Sequence, residues 1–393
     1  MIRTVDELDL KDKRVFVRVD FNVPLRDGKI TETHRIDETL PTLRLVMTKA
    51  KKVIVASHLG RPSGKKQPIW SLTPVRDHLE RSLSCPVILA PDCIGSEVEA
   101  LVRDGCQSKV ILLENLRFHQ GEEANDPIFS KSLATLADAY VNDAFGAAHR
   151  AHASTSGMVK FFQEKGAGLL FKKELEYLGR ILTSPERPLV ALLGGAKVSD
   201  KIGVLQNLIQ KVDSLLVGGG MAYTFLKSRG TPVGKSMVEE DRVPVASELT
   251  ARSERRKVCL LLPTDHVTAE NIEGDREPII TEDKIPADSI GLDIGPKTIA
   301  RFIAEIRKAK MVLWNGPMGL FEQERFSHGT SSIAKALAEC EAISIVAGGE
   351  TVAAVKQAGV GDKMNHLSTG GGAALEFLEG KNLPGIQALE VSK

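Results

Sequence analysis

The chain alternates between short apolar runs and longer amphipathic intervals. Ten runs rich in Val, Ile and Leu recur along it, five in each half, without the polar and apolar alternation of a half-exposed strand. Such runs indicate strands that are buried on both faces. Intervals with helical spacing separate them, for example DPIFSKSLATLADA at 126–139 and SHGTSSIAKALAEC at 327–340. The pattern therefore predicts an α/β protein with parallel sheets.

The segment TSPERPL, residues 183–189, interrupts this alternation with two prolines and two charges. Such a segment is typical of a boundary between domains. A single large sheet is the alternative, but ten or more strands would strain one open sheet. We therefore expect one domain over residues 1–183 and a second over 189–369, joined by a hinge.

Composition adds limits to this picture. The chain has 393 residues, 42% hydrophobic and 26% charged, as ordinary globular proteins do. Its net charge of +1 argues against broad nucleic-acid binding. No signal peptide or membrane-spanning run is visible, so we expect a cytoplasmic protein. Five scattered cysteines without a CxxC pair predict a reducing compartment, buried thiols and no metal bound by cysteines: Cys85, Cys93, Cys106, Cys259 and Cys340.

In the first half, basic and polar residues follow the predicted strands. Because ligands bind at the carboxyl ends of parallel strands, these residues are expected to share one edge of a sheet. Arginine forks suit carboxylate and phosphate oxygens, so the group predicts a small polyanionic substrate. Any one of these arginines alone would be read as a solvated surface residue. The group comprises Asp20, Asn22, Arg35, His58, Arg61, Arg117, His149, Arg150 and His152.

In the second half, the predicted strands end in glycines: 194–195, 218–220, 316 and 319, 348–349, and 370–372. Glycine lets a backbone approach a ligand closely, and helix N-termini supply N–H groups to phosphate. Single pairs would serve only as tight turns, but five sets favour a nucleotide cleft. Lys197 and Lys201 are spaced to share a helix face near its start, where two cations would meet phosphate. Glu322 and Glu350 are acids suited to a ribose hydroxyl or Mg²⁺.

An anion site in one half and a nucleotide site in the other suggest phosphoryl transfer. This chemistry depends on positioning and charge neutralisation more than on a dedicated nucleophile. Closure about the hinge would exclude water and prevent hydrolysis.

The segment GTPVGKSMVEED, residues 230–241, contains a Gly-Lys-Ser triplet that is similar to the end of a P-loop. Only three residues separate its glycines, one of them proline, whereas a P-loop has four. The segment also follows a predicted helix instead of a strand. We therefore interpret Lys235 as a residue of a surface turn.

Seven longer motifs resemble those of the phosphoglycerate kinase family. They occur in the family's order and span essentially the whole chain. They are RVDFNVP (18–24), SHLGRP (57–62), ENLRFH (114–119), VNDAFGAAHRAHAS (141–154), GGAKVSDK (194–201), WNGPMGLFE (314–322) and STGGGA (368–373).

The resemblance implies two Rossmann-like, three-layer αβα domains with parallel sheets joined by a hinge. It implies reversible transfer of a phosphoryl group between 1,3-bisphosphoglycerate and ADP, giving 3-phosphoglycerate and ATP, with Mg²⁺ as the cofactor. It also implies a monomer, and a C-terminal tail, 370–393, that packs on the first domain.

The resemblance further assigns roles to individual residues. Arg35, Lys197, Gly370 and Gly371 match groups that act on the transferring phosphoryl group. The 3-phosphoglycerate site matches Asp20, Phe21, Asn22, Arg35, His58, Leu59, Gly60, Arg61, Arg117 and Arg150. The nucleotide site matches Gly194, Gly195, Lys197, Lys201, Gly218, Gly219, Leu292, Asn315, Pro317, Glu322, Gly348, Gly349, Glu350 and Thr351.

One motif departs from the family pattern. The family's nucleotide loop usually reads Gly-Gly-Gly-Asp, with the Asp on Mg²⁺, whereas this chain reads AGGET at 347–351. Glu350 keeps the carboxylate on an arm one methylene longer. We expect Glu350 to serve as the metal ligand, directly or through water.

Two other function classes are alternatives to the kinase. A nucleotide-dependent oxidoreductase of similar fold would carry GxGxxG after an early strand, which this sequence lacks. A hinged anion-binding protein usually requires export, and no signal peptide is apparent.

Overall fold

A computed structural model of the chain describes residues 1–103, 107–274 and 276–391. The chain divides into two compact units. The first contains Met1–Glu176 and the described part of Asn382–Lys393, and the second contains Tyr177–Lys381. The division lies inside a helix, earlier than the expected boundary at 183–189. Residues 370–381 belong to the second unit, so the tail that returns to the first unit is shorter than expected.

The first unit is built on a six-stranded parallel sheet with strand order β5-β6-β4-β1-β7-β8. Strand β1 lies between β4 and β7, and Val15 is in register with Val53 and Ala139. A two-stranded hairpin, β2-β3, follows β1. The strands are β1 (Arg14–Arg18), β2 (Leu25–Arg26), β3 (Lys29–Ile30), β4 (Lys52–Ala56), β5 (Val87–Leu89), β6 (Val110–Leu112), β7 (Ala139–Asn142) and β8 (Lys165–Ala167).

Helices connect the strands of this sheet, as parallel pairing requires. Prolines stand in the first turn of several of them, where a missing N–H is tolerated. The helices are α1 (His34–Asp37), α2 (Leu40–Lys49), α3 (Thr73–Leu83), α4 (Ser96–Arg103), α5 (Gln120–Glu123), α6 (Pro127–Ala134) and α7 (Leu169–Thr183), which runs into the second unit.

The second unit has its own six-stranded parallel sheet, with strand order β11-β10-β9-β15-β16-β17. Its strands are β9 (Leu189–Leu193), β10 (Ser214–Val217), β11 (Cys259–Leu261), β15 (Met311–Asn315), β16 (Ile343–Ala347) and β17 (His366–Leu367). Its helices are α8 (Ile202–Leu208), α9 (Met221–Ser228), α10 (Val243–Arg255), α11 (Pro296–Ile306), α12 (His328–Ala338), α13 (Gly349–Gln357) and α14 (Gly372–Leu378). Helix α15 (Pro384–Leu389) belongs to the first unit.

A small antiparallel sheet in the second unit was not anticipated from the sequence. Its order is β13-β12-β14, with strands β12 (Asp265–Ala269), β13 (Ile279–Glu282) and β14 (Ile290–Ile294). Strand β13 is an edge strand with exposed isoleucines, and polar residues separate the strands. The apolar signal is therefore too weak for strand prediction by pattern.

The central strands are buried as the apolar runs predicted. Every residue of β4, β7, β9 and β15 is buried, and each sheet contributes to a hydrophobic core of its own unit. The predicted α/β class with two parallel sheets is confirmed.

The expectation of buried thiols is only partly correct. Cys93 is buried and Cys85 and Cys340 are partly buried, but Cys259 is exposed because it begins the edge strand β11. Cys106 lies outside the described residues. No helix within the described ranges is long and apolar enough to cross a membrane.

Candidate functional site

The polar residues of the first half meet at one edge of the first sheet. Asp20 follows β1, His58 follows β4, Arg117 lies in the turn after β6, and Arg150 follows β7. These four strands are neighbours in the order β6-β4-β1-β7, so their carboxyl ends lie side by side. The sequence prediction of a shared edge is therefore correct.

Asp20 and Arg35 form the closest ion pair of this edge. Arg35 Nη1 donates to Asp20 Oδ2 over 2.9 Å. Burial acts to raise the pKa of Asp20, but Arg35, His58, Arg18 and the backbone N–H of Asn22 outweigh it and hold the pKa at about 2. The carboxylate is thus ionised at neutral pH and orients the arginine.

The loop after β4 is held by hydrogen bonds from its neighbours. Gly60 N donates to Asn22 Oδ1 over 2.9 Å, and Arg117 Nη1 donates to Gly60 O over 2.8 Å. The amide of Asn115 donates to Leu59 O over 2.7 Å and its oxygen accepts from Leu59 N. Sequence reasoning missed Asn115, although it lies inside the motif ENLRFH.

Two assigned residues are fully buried, one is exposed and one, Arg150, is half-buried. The side chains of Phe21 and Leu59 are fully buried in the core, so only their backbone groups can reach a ligand. Phe21 N donates to Ser57 Oγ over 2.8 Å. Arg61 is exposed, and Arg150 Nε donates to His149 Nε2 over 3.2 Å.

Two histidines of this edge, His58 and His152, are neutral. Burial, reinforced by the nearby charges of Arg18, Arg117 and Arg150, lowers the pKa of His152 to about 3. Burial and the arginines also hold the pKa of His58 well below its usual value, although Asp20 opposes them. The positive charge of the site therefore comes from its arginines, which stay charged at all working pH values.

The glycines of the second half also meet at one sheet edge, after β10, β9, β15 and β16. A side chain on Gly194 would place its first carbon 2.1 Å from Pro317 O, and one on Gly316 would lie 2.3 Å from Gly194 O. A carbon on Gly219 would lie 2.6 Å from Gly195 N. These glycines therefore allow the turns at neighbouring strand ends to pack with their backbones in direct contact.

A cavity of about 310 Å³ opens beside these turns. Six predicted residues line it: Gly195, Gly219, Leu292, Pro317, Glu322 and Glu350. Sequence reasoning missed most of its apolar wall, which comes mainly from segments without a recognisable motif, although Leu320 lies inside WNGPMGLFE. These residues are Tyr223, Met237, Ile272, Ile290 and Leu320.

Asn315 and Thr351 join two strand ends instead of lining the cavity. Asn315 Nδ2 donates to Ala347 O over 2.9 Å, and Gly316 N donates to Thr351 Oγ1 over 2.6 Å. Gly348 has a φ of 92°, a conformation that favours glycine. The contacts fix the turn that begins α13 and carries Gly349 and Glu350.

The expectation that Lys197 and Lys201 share a helix face is wrong. Lys197 lies exposed before the helix, and Lys201 ends a 3₁₀ turn, Ser199–Lys201, that precedes α8. Burial lowers the pKa of Lys201, while Glu350 and Asp200 act to raise it. A carbon on Gly195 would lie 3.3 Å from Lys201 Nζ, so the ammonium lies beside the glycine turn.

The segment 230–241 is a surface turn, as interpreted, but it supports the lysine loop. Lys235 is exposed, and its N–H donates to Ser289 O over 2.8 Å. Glu239 accepts the backbone N–H groups of Val198 and Ser199 over 2.6 and 3.0 Å. These bonds anchor the backbone between Lys197 and the 3₁₀ turn that precedes α8.

Gly370 and Gly371 lie between β17 and α14. Gly370 N donates to Ser368 Oγ over 3.1 Å, and Gly371 has a φ of 51°. The two glycines form the turn that begins α14.

Asp92, Cys93 and His119 form a separate polar cluster in the first unit, with potential ligand atoms within 4.8 Å of one another. His119 Nε2 lies 2.6 Å from Asp92 Oδ1, and the Cys93 thiol donates to Glu114 O. Burial raises the pKa of Cys93 well above its usual value, so the sulfur keeps its proton. Hydrogen bonds among these groups and Glu114 account for the cluster.

The two sheet edges define a class of protein, a two-unit α/β enzyme of phosphoryl transfer. The phosphoglycerate kinase family model matches residues 5–381. A phosphoglycerate kinase of Anaeromyxobacter dehalogenans is 57% identical, and one of Koribacter versatilis 52% identical, over at least 98% of both chains. The solved phosphoglycerate kinase of Coxiella burnetii has a TM-score of 0.89 at 40% identity, over 99% of both chains. That of Pyrococcus horikoshii has a TM-score of 0.87 at 31% identity, over at least 98% of both.

This chain belongs to the phosphoglycerate kinase family. It is a glycolytic phosphotransferase that transfers a phosphoryl group reversibly between 1,3-bisphosphoglycerate and ADP, giving 3-phosphoglycerate and ATP. The oxidoreductase and anion-binding alternatives are thereby excluded.

Gly60 provides a test of the loop geometry. It has a φ of 62°, and a side-chain carbon would lie 2.2 Å from Trp70 Cε3. Gly28 in the β2-β3 hairpin has a φ of 73° with nothing within 4 Å. We expect Gly28→Ala to lower the free energy of unfolding by about 1 kcal/mol through backbone strain alone. Gly60→Ala should cost roughly 2 kcal/mol more, because Trp70 must also move.

Urea denaturation of both variants measures the difference. An equal decrease in the free energy of unfolding for the two variants would mean that Trp70 moves away from Gly60 at no energetic cost, contrary to the packing described.

Proposed function

We propose that the first unit binds 3-phosphoglycerate at its arginine-lined edge. The observation that carries this proposal is that Arg117 and Arg150 follow β6 and β7 at the sheet edge where Arg35 of α1 pairs with Asp20, beside two neutral histidines. A three-carbon ligand with a carboxylate at one end and a phosphate at the other needs separated guanidinium forks. Asp20 orients Arg35 through their 2.9 Å bond, while Asn22 supports the Gly60 backbone. The exposed guanidinium of Arg61 completes the anion site.

The nucleotide is assigned to the cavity of the second unit. Its apolar wall, including Tyr223, Leu292 and Leu320, suits a flat base, and the turns of Gly195 and Gly219 bring backbone close to the ligand. Glu322 lines the same cavity and is an acceptor for ribose hydroxyls. The partly buried ammonium of Lys201 beside Gly195 is placed to neutralise a nucleotide phosphate.

Glu350 fits the role of the Mg²⁺ ligand. Its exposed carboxylate lines the cavity and acts on Lys201, and Mg²⁺ prefers hard oxygen ligands. One carboxylate is enough where substrate phosphates and water complete the shell. When bound, Mg²⁺ neutralises phosphate charge. Ala347 fits where the family has glycine, because it is buried at the end of β16 and its carbonyl accepts from Asn315.

For the transfer step, we assign Arg35 and Lys197 to the transferring phosphoryl group. Both side chains reach solvent, and Lys197 lies in a loop that Glu239 holds at two backbone amides. The turn of Gly370 and Gly371 contributes backbone close to the same group. Cations of this kind stabilise negative charge that develops on the equatorial oxygens.

We further infer that closure of the two units about a hinge brings both substrates together and excludes water. The enzyme would act as a monomer in the cytoplasm, where its thiols stay reduced. Small-angle X-ray scattering should give the mass of one chain, 42.6 kDa, and a smaller radius of gyration with both substrates than with either alone. A dimer mass, or an unchanged radius, would contradict these inferences.

Arg35→Ala tests the role of this arginine in the transfer step. We expect kcat to fall about 10²–10³-fold, because one cation at the transferring group is lost. Arg44→Ala is the matched control, since Arg44 is an exposed arginine of α2 in the same unit. A coupled assay with saturating 3-phosphoglycerate and Mg·ATP measures both. An unchanged kcat for Arg35→Ala would rule out the assigned role.

Three single variants test the nucleotide site: Lys201→Ala, Glu350→Ala and Lys235→Ala. We expect Lys201→Ala to weaken Mg·ADP binding about tenfold or more, because a charged hydrogen bond is lost. Glu350→Ala should weaken Mg·ADP binding but leave metal-free ADP binding nearly unchanged. Lys235→Ala is the control, because this lysine is exposed in the turn. Calorimetric titration with and without Mg²⁺ measures all three, and equal Mg·ADP affinity for Glu350→Ala would exclude Glu350 as the ligand.

A further inference from the structure

Arg18 is a buried arginine that none of the assigned roles uses. It is the last residue of β1, and only 1% of its side chain is exposed. Its Nε donates to Ser154 Oγ over 2.7 Å, its Nη1 donates to Val19 O, and its Nη2 lies 3.2 Å from His58 Nδ1. A guanidinium removed from water needs a compensating charge and partners for its donors.

Glu122 supplies the compensating charge. Its side chain is fully buried, and its Oε1 lies 4.0 Å from Arg18 Nη2. Ser154 links the two residues, because its hydroxyl donates to Glu122 Oε1 over 2.6 Å while it accepts from Arg18 Nε. Ser154 N also donates to Glu122 Oε2 over 3.0 Å. Burial raises the pKa of Glu122, but Arg18 and the bonds from Ser154 act to keep it ionised.

The contact with His58 fixes which ring nitrogen carries the proton. A guanidinium has only donors, and at 3.2 Å it lies closer to His58 Nδ1 than Asp20 Oδ1 does at 3.9 Å, so we take Nδ1 to accept from Arg18. The proton of the neutral ring is therefore on Nε2. Four charged groups act on this ring: Asp20, Arg18, Arg117 and Arg35. Three are cations, which together with burial keep the ring from taking a second proton.

We propose that Glu122, Ser154 and Arg18 form a buried relay that holds His58 as its neutral Nε2–H tautomer, a fixed donor for the anionic substrate. Glu122, Ser154 and Arg18 are positioning residues, because they act through His58. The proposal rests on the assignment of 3-phosphoglycerate to the first unit. The other tautomer would offer a lone pair to an anion, so the relay prevents a repulsive contact and avoids reorganisation on binding.

Nuclear magnetic resonance of the substrate-free protein tests the relay directly. The protein carries ¹⁵N-labelled histidine, and the His58 signals are assigned from their loss in His58→Gln. At pH 7 we expect a protonated Nε2 and an unprotonated Nδ1. A protonated Nδ1, alone or in an imidazolium, would overturn the proposal.

Arg18→Met removes the donor to Nδ1 and keeps most of the volume. We expect His58 to populate both tautomers or to gain a proton, and KM for 3-phosphoglycerate to rise about tenfold or more. KM for ATP should stay unchanged, which a general loss of structure would not give. Arg14→Met is the matched control, because Arg14 lies on the same strand and pairs with Asp138 at the opposite end. An unchanged tautomer and an unchanged KM in Arg18→Met would overturn the proposal.

Ser154→Ala and Glu122→Gln give a second route if Arg18→Met does not fold. Each weakens the support of Arg18, so KM for 3-phosphoglycerate should rise by a smaller factor in both, again without a change for ATP. Parent-like KM values in both folded variants would overturn the roles of Ser154 and Glu122. If the first unit does not bind 3-phosphoglycerate, His58→Gln should leave KM for 3-phosphoglycerate unchanged, whichever tautomer the resonance experiment finds. This result would refute the substrate assignment separately from the relay.

Discussion

Parallel pairing between fully buried strands is the constraint on which both sites depend. Strand β1 pairs on one side with β4 and on the other with β7, and β15 pairs in the same way with β9 and β16. Because parallel neighbours end at the same edge, residues far apart in the chain must meet there. Asp20, His58 and Arg117 are brought together in this way, and so are Gly194 and Gly316.

Burial decides which side chains carry charge at the first edge. Desolvation lowers the pKa of His58 and His152, whereas Asp20 stays ionised because arginines outweigh its burial. The result is a site whose cations are permanent and whose imidazoles act as neutral hydrogen-bonding groups. The buried carboxylate of Glu122 balances the positive charge of Arg18, because water does not reach either side chain.

Close packing decides the shape of the second edge. The glycine turns fit together at separations that no side-chain carbon would allow, as at Gly194 and Gly316. The lysine loop is then held by Glu239, a residue from the distant segment 230–241. Glu350, at the position where the family usually has aspartate, is exposed at the start of α13 and lines the open cavity.

The α/β class, the strands that carry the sites and the family were all predictable from the amino-acid sequence, because apolar runs and contiguous motifs are local signals. Features that depend on contacts between distant segments became visible only in the fold. It showed that the tail returning to the first unit begins later than residue 370, that Lys197 lies outside the helix, and that Tyr223 and Ile272 line the cavity. It also joined Arg18, Ser154 and Glu122, since protonation and tautomer depend on burial and on partners up to 136 residues away in the chain.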